Sequence, residues 1–275
     1  EMQKPFKRLP IDYSTGDNTV VNTDTVSVSL SKQETKALME EIHKSYNTQI
    51  NDVLLTALVQ AFAKWTGGGE LRLDIRGNTR EQIFKDINLS RTVGSFATCF
   101  PVLLDIAESS EQESSLITIK EYLHSIPNSG IGYGILNYLS NKQEIQSKLQ
   151  AFPRAEVSFN YLGQYDQIIP ESCLFSLPQY SQGISYSISN IPIYLLEIIG
   201  IIVQEELQLY WTYNQAFYRQ ETIKNLAENF IEALSSLISH CQSLETVIYT
   251  PSDFPEANLS QQKLDRFLAK INQIN

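Results

Sequence analysis

The stretch from Glu70 to Asp105 constrains the fold of this chain more than any other. Leu71, Leu73 and Ile75 recur at every second position, the period of a half-buried strand. The pattern then breaks into Arg76-Gly77-Asn78-Thr79-Arg80-Glu81, where Gly77 supplies backbone freedom. A second polar cluster, Ser90-Arg91-Thr92, precedes Val93-Gly94, and the mostly apolar run from Phe96 to Leu104 reads as another strand. Arg76, Arg80 and Arg91 therefore gather between two strands of a chain that is acidic overall. Two readings fit them. They form an anion-handling or substrate-facing edge, or they pair with Glu81, Asp86 and Asp105 on a solvated surface.

The chain has 275 residues, 42% hydrophobic, which is enough for a full core in one large domain or two small ones. With a formal charge of −10, a basic stripe for nucleic acid is not expected. The longest apolar run, Ile191 to Val203, is too short for a membrane span and is interrupted by Glu197. No apolar core of a signal peptide opens the sequence, and the start at Glu1 suggests a piece excised from something longer. Cys99, Cys173 and Cys241 are odd in number and form no CxxC, which suits a reducing cytoplasm. Cys99, inside an apolar strand, reads as a small buried hydrophobe.

The remaining elements follow in order. Residues 1–25 are polar and rich in turn formers, the composition of a linker or extended arm. Thr25 to Leu30 alternates as a strand. Ser31 with Glu34 makes a capping box for a helix with its stripe at Ala37, Leu38 and Ile42. Asn51 is placed as the N-cap of the next helix, whose apolar positions run from Val53 to Trp65 before Gly67-Gly68-Gly69 ends it. A helix is expected over Glu111 to His124, stopped by Pro127, and a strand over Ala155 to Leu162. Residues 165–190 read as a long loop. Ile191–Val203 and Glu206–Tyr213 read as a hairpin, Gln220 to Cys241 as a long amphipathic helix, and Asn258–Ile274 as a shorter helical tail. The expected organisation is a compact lobe over 26–250, with 1–25 and 251–275 outside it. Its fold class is α/β, a two-layer sandwich of a mixed sheet covered by helices.

The chemistry visible in the residues is sparse. Pro127 to Gly134 contains a glycine-rich loop ahead of a helix at Ile135 to Leu139. No Lys-Ser/Thr follows it, so a turn that brings backbone close to a neighbour fits better than a phosphate cradle. Within Ala155–Leu162, Ser158, Asn160 and Leu162 share one face, either the wall of a polar cavity or a wet surface. His43, His124 and His240 fall late in helices, where the helix dipole favours them, and join no metal-ligand spacing. No GxSxG elbow is present.

Several motifs together say more. Leu89-Ser90-Arg91-Thr92-Val93-Gly94, the GIGYG at Gly130–Gly134, and Phe159-Asn160-Tyr161-Leu162-Gly163-Gln164-Tyr165-Asp166 resemble the C-terminal lobe of an epimerization domain of nonribosomal peptide synthetases, in the condensation-domain superfamily. The resemblance extends through Leu9-Pro10-Ile11-Asp12, Gln49 to Leu58, Trp65-Thr66-Gly67 and Tyr249 to Pro255, in order. It implies a lobe similar to one half of chloramphenicol acetyltransferase. The partner lobe closes the reaction centre, and a peptidyl carrier protein presents a substrate on 4′-phosphopantetheine. It also implies adjacent synthetase domains; an apolar face left exposed where the partner lobe should sit is expected to allow a homodimer of the isolated chain. Removal and return of an α-proton needs an acid/base pair and a stabilised enolate. In the family, a histidine comes from HHxxxDG on the N-terminal lobe and a glutamate from EGHGRE on this one.

This chain departs from that pattern. It contains no HHxxxDG, so the N-terminal lobe is expected to be absent. The EGHGRE position reads Arg76 to Glu81, with Arg76 at the glutamate and Asn78 at the histidine. A guanidinium, with its pKa above about 12, is no base near neutral pH. Ser95 stands where a bulky tryptophan usually follows RTVG. The catalytic candidates are thus Arg76, Asn160 and Tyr161, and the substrate-binding candidates Arg91, Asn78, Ser95 and Tyr133, with no metal. The expected outcome is loss of the family's epimerase activity. The alternatives are a non-catalytic scaffold or carrier-docking module, and an active lobe in which Arg76 stabilises an oxyanion.

Overall fold

The alternating segments pair into a sheet. A computed structural model describes residues 7–78, 88–89, 91–106, 112–165, 187, 189–244, 246–257 and 259–272, without the side chains of Asn78, Ile271 and Asn272. Among these residues the strands are β1 (Thr23–Ser29), β2 (Glu70–Asn78), β3 (Ala97–Asp105), β4 (Val157–Gln164), β5 (Leu196–Val203) and β6 (Glu206–Asn214), in the spatial order β1-β6-β5-β4-β2-β3. β2, β4 and β5 run parallel at the centre, and the other pairings are antiparallel. The helices are α1 (Lys32–Glu40), α2 (Ile42–Tyr46), α3 (Ile50–Thr66), α4 (Gln112–His124), α5 (Ile131–Gly134), α6 (Gln143–Gln150), α7 (Gln220–Gln242) and α8 (Gln261–Asn272). The expected two-layer α/β sandwich with a mixed sheet is the fold observed.

Register places the core. One row crosses all six strands: Val26, Trp211, Ile198, Phe159, Ile75 and Phe100 are directly paired in turn, and each is buried. Burying each such side chain contributes roughly 1.5–3 kcal/mol. α3 and α7 pack on this face and on each other, and Phe230 of α7 meets Trp211 edge-on at 5.8 Å. α7 buries Ile223, Leu226, Phe230, Leu234, Leu237 and Ile238, the stripe its sequence spacing predicts.

Local chemistry shifted several expected boundaries. Ser31 caps α1 as expected, and its hydroxyl also donates to Glu34. The stripe through Ile42 spans two helices, because the backbone breaks at Glu41. Asn51 is not the N-cap of α3. It lies inside the helix, and the Asp52 carboxylate instead accepts the Gln49 N–H at 2.7 Å, which satisfies an end donor one turn earlier. Gly67 ends α3 at φ +68. The strand expected from Ile191 begins at Leu196, after Pro192. The hairpin turns at Gln204 and Glu205, both left-handed, which matches the twist of the strands. The glycine-rich stretch is not a loop before a helix. Gly132 and Gly134 sit within α5, and Ile135–Leu139 continues it as a wider turn. Most of residues 165–190 fall outside the described residues.

A clasp joins α4 to the C-terminal segment. Lys120 has no exposed side-chain surface, and its ammonium donates to the Tyr46 carbonyl and to Asp253, both at 2.7 Å. Asp253 also accepts from Asn47 and from the Thr250 N–H, both at 2.8 Å. Burial alone would raise the Asp253 carboxyl, but Lys120 and these donors hold it below the usual carboxylate range. Asp253→Ala leaves a buried ammonium without its counter-charge, so denaturant unfolding is expected to show a loss of about 3–5 kcal/mol.

α4 ends on a second pair. His124 meets the Asp52 carboxylate at 3.0 Å. That hydrogen bond raises the imidazole above its ordinary value of 6.5, against the lowering by burial. A raised histidine contributes stability that is complete below 6.5 and is lost as pH rises through the folded-state value. The difference in thermal midpoint between the native chain and His124→Gln is therefore expected to shrink from pH 6 toward pH 8.

Candidate functional site

The register that buries one row sends the alternate side chains to the opposite face of the sheet. Two polar rows result. Thr25, Thr212, Glu197, Ser158, Asp74 and Pro101 form one, and Ser27, Tyr210, Ile199, Asn160, Arg76 and Cys99 the next. Thr25 and Thr212 hydroxyls bond at 3.0 Å across this face. Arg76 reaches Glu197 at 3.4 Å, with 40% and 36% of the two side chains exposed. The Ser158 hydroxyl is buried and has no hydrogen-bond partner among the described residues. Of the expected pairings, Arg76 with Glu81 or Asp86 lies outside the described residues, and the observed carboxylate is Glu197 from two strands away.

The sequence-predicted residues divide. Arg76 and Asn160 are direct neighbours on the open face. Tyr161 follows Asn160 on the strand and lies toward the helical layer, where its hydroxyl contacts the Met39 sulfur at 3.9 Å and burial pushes it up to about 12. Asn78 ends β2 opposite Ala97. Arg91 and Ser95 are exposed on the segment leading into β3. Tyr133 of α5 is half-buried, with its phenol raised by burial and by the nearby Asp74, Tyr138 and Cys99.

Beside β3 the helical segment from Ile131 to Gln150 closes a cavity of about 1050 Å³. Gly130 lets it approach. Its φ is +78, and a Cβ there would lie 2.3 Å from the Phe100 ring. The expectation of a close backbone approach in this stretch thus has its physical basis in one glycine. Asp74, Cys99, Tyr133, Arg154 and Tyr194 all line the cavity. Tyr194 donates to Asp74 at 2.8 Å and lies 3.6 Å from the Cys99 sulfur. Burial raises the Asp74 carboxyl, with Tyr194 and Arg76 pulling it back in part. Burial also raises the Cys99 thiol, although the residue is exposed at the cavity wall and is not the buried hydrophobe its sequence context suggests. Its strand lies at the sheet edge, and its side chain stands on the face opposite the buried row.

Asp74, Glu197, Arg154 and Tyr194 were missed as site residues. The available signal was the other phase of the alternation: Asp74 and Arg76 occupy the positions between Leu73 and Ile75 and beyond, and so share the face that the apolar residues leave.

The condensation-domain family model matches residues 1–260. A linear gramicidin synthase of Brevibacillus parabrevis is 41% identical over 268 residues, which is 97% of this chain and 4% of that protein. A surfactin synthase of Bacillus subtilis is 33% identical over 98% of this chain and 7% of its own length. The chain thus spans a small fraction of the length of these relatives. Among solved structures, the epimerization domain from the third module of tyrocidine synthetase B superposes with a TM-score of 0.80 at 33% identity, over 88% of this chain and 53% of that one. A cyclization-docking bidomain from Sorangium cellulosum, 16% identical with a TM-score of 0.57 over 84% of this chain and 44% of that one, shares the fold. With the family model matching nearly the whole chain, the chain belongs to the condensation-domain family, and it is similar to subunits of peptide synthetases and to an epimerization domain.

Proposed function

We propose that this chain is the C-terminal lobe of an epimerization-like domain that handles carrier-bound aminoacyl or peptidyl thioesters without the family's proton abstraction. The observation that carries this reading is Arg76 on the open face, engaged by Glu197 at 3.4 Å. Epimerization requires a base at the α-carbon, and a guanidinium that keeps its proton at neutral pH does not accept another. Glu197, from β5, is the carboxylate that pairs with Arg76 on this face.

The 4′-phosphopantetheine arm would arrive on a peptidyl carrier protein and is not a group this chain holds by itself. The residues present suit its amides and thioester carbonyl. Asn160 offers a donor and an acceptor on the open face, and the Ser158 hydroxyl is buried without a partner among the described residues. Arg91 and Ser95, exposed before β3, are suited to meet the arm from outside. The partner lobe carrying HHxxxDG would cover this face. Ile191 and Ile193, 72% and 74% exposed, and Leu162 give it apolar surface to cover, and a second copy of the chain is the other occupant of the same surface. Those exposed residues also favour a second reading, a lobe that docks carrier and neighbouring domains without chemistry.

The test pairs this chain with an HHxxxDG-bearing N-terminal lobe and a carrier loaded with an L-aminoacyl thioester in deuterated buffer. No α-deuterium incorporation is expected. Arg76→Glu is expected to raise exchange by roughly 100- to 10,000-fold, the range of a placed general base. Exchange by the unaltered pair overturns the reading, and its loss in Glu197→Gln would then identify the base. Carrier binding measured in the same mixture separates the docking reading from no role at all.

A further inference from the structure

We propose that the cavity between β3 and the α5–α6 segment is a pocket for the acyl group, and that it takes an apolar or aromatic aminoacyl group whose free amine is held by Asp74. Its volume of about 1050 Å³ is at the upper end for a small-molecule site, room for an aminoacyl or short peptidyl group. Its walls are largely apolar and aromatic, with Phe96, Ile135, Tyr138, Leu149, Phe152 and Ile193 among them. Side chains of this kind stabilise an apolar guest by excluding water from it.

Polarity enters the cavity at few places. Among the described lining residues Asp74 is the one carboxylate and Arg154 the one cation. Tyr194 donates to one oxygen of Asp74 at 2.8 Å. That bond fixes the carboxylate and leaves its second oxygen for a donor inside the cavity. An ammonium or amine meets a carboxylate in a charge-assisted hydrogen bond, whereas an acidic guest brings a like charge to it. Tyr194 is on this account a positioning residue for Asp74.

Gly134 of the GIGYG segment lines the cavity, and a Cβ there would meet no atom within 4 Å, while Gly130 seats the segment on Phe100. One segment thus seats on β3 at Gly130 and lines the pocket, with open space around its position, at Gly134. The proposal rests on the reading above only for how the acyl group arrives; occupancy of the cavity needs neither carrier nor proton transfer.

Cys99 at the cavity wall supplies the readout. The full chain is treated with a methanethiosulfonate reagent near neutral pH, and modification of Cys99 is followed by peptide mass spectrometry in the presence of amino-acid amides, which stand in for the thioester. Phenylalaninamide is expected to protect Cys99. Its N-acetyl derivative, which lacks the amine, is expected to bind roughly 10- to 100-fold more weakly, the worth of a hydrogen bond to a charged group. Asp74→Asn is expected to remove that difference. Gly134→Leu adds bulk at a lining position with open space around it and is expected to weaken both amides at an unchanged unfolding midpoint. Absence of protection by phenylalaninamide at tens of millimolar overturns the proposal, as does equal protection by glutamic acid α-amide or a preference that survives Asp74→Asn. None of these outcomes depends on carrier binding or α-proton exchange, so the pocket fails or stands apart from the reading of Arg76.

Discussion

The apolar row from Val26 to Phe100 is the constraint on which the remaining structure depends. It commits every strand to one phase of alternation, because slipping any strand by one residue would turn its apolar set to the other side. The helices need that phase, since the apolar stripes of α3 and α7 close their shared core against it. The same commitment decides where every polar strand residue goes. Asp74, Arg76, Ser158, Asn160 and Glu197 come together from three strands far apart in sequence because Ile75, Phe159 and Ile198 had to be adjacent on the opposite side.

That open face holds two chemically different neighbourhoods two residues apart on one strand. Around Arg76 the groups are partly exposed, and an exposed ion pair such as Arg76–Glu197 contributes little to stability. Around Asp74 the groups line the cavity beside β3, and partial burial there raises its carboxyl and the Cys99 thiol above their ordinary values. Gly130 seats the helical segment beside β3: with any side chain there it would be held off the Phe100 ring at the sheet edge.

Most elements were legible because their apolar period is local. β2, β3, β6 and α7 fell near the positions their spacing predicts. The errors have identifiable sources. A glycine-rich stretch reads as loop because glycine is a weak helix former, yet α5 runs through two glycines on contacts with β3. Asn51 reads as a cap by residue type, but the N-cap of α3 is Gln49, whose N–H is taken by the Asp52 carboxylate from the first turn. Of the site, the motif resemblance pointed to Arg76 and Asn160, which the sheet does make neighbours. Asp74 was open to reading from the alternation of β2, but its meeting with Glu197 and Tyr194 was not, since the parallel pairing of β2, β4 and β5 is non-local and no spacing along the chain encodes it.

The Lys120 clasp has a mechanical consequence. This fully buried ion pair joins α4 to the segment at Thr250–Asp253, just ahead of α8. A pull applied at α8 therefore loads Asp253 and Lys120 before it reaches any strand, and passes into α4 through a contact that cannot slide without stranding a charge in the interior. Tension at that end therefore meets α4 and its buried charge pair ahead of the strands whose register sets the open face.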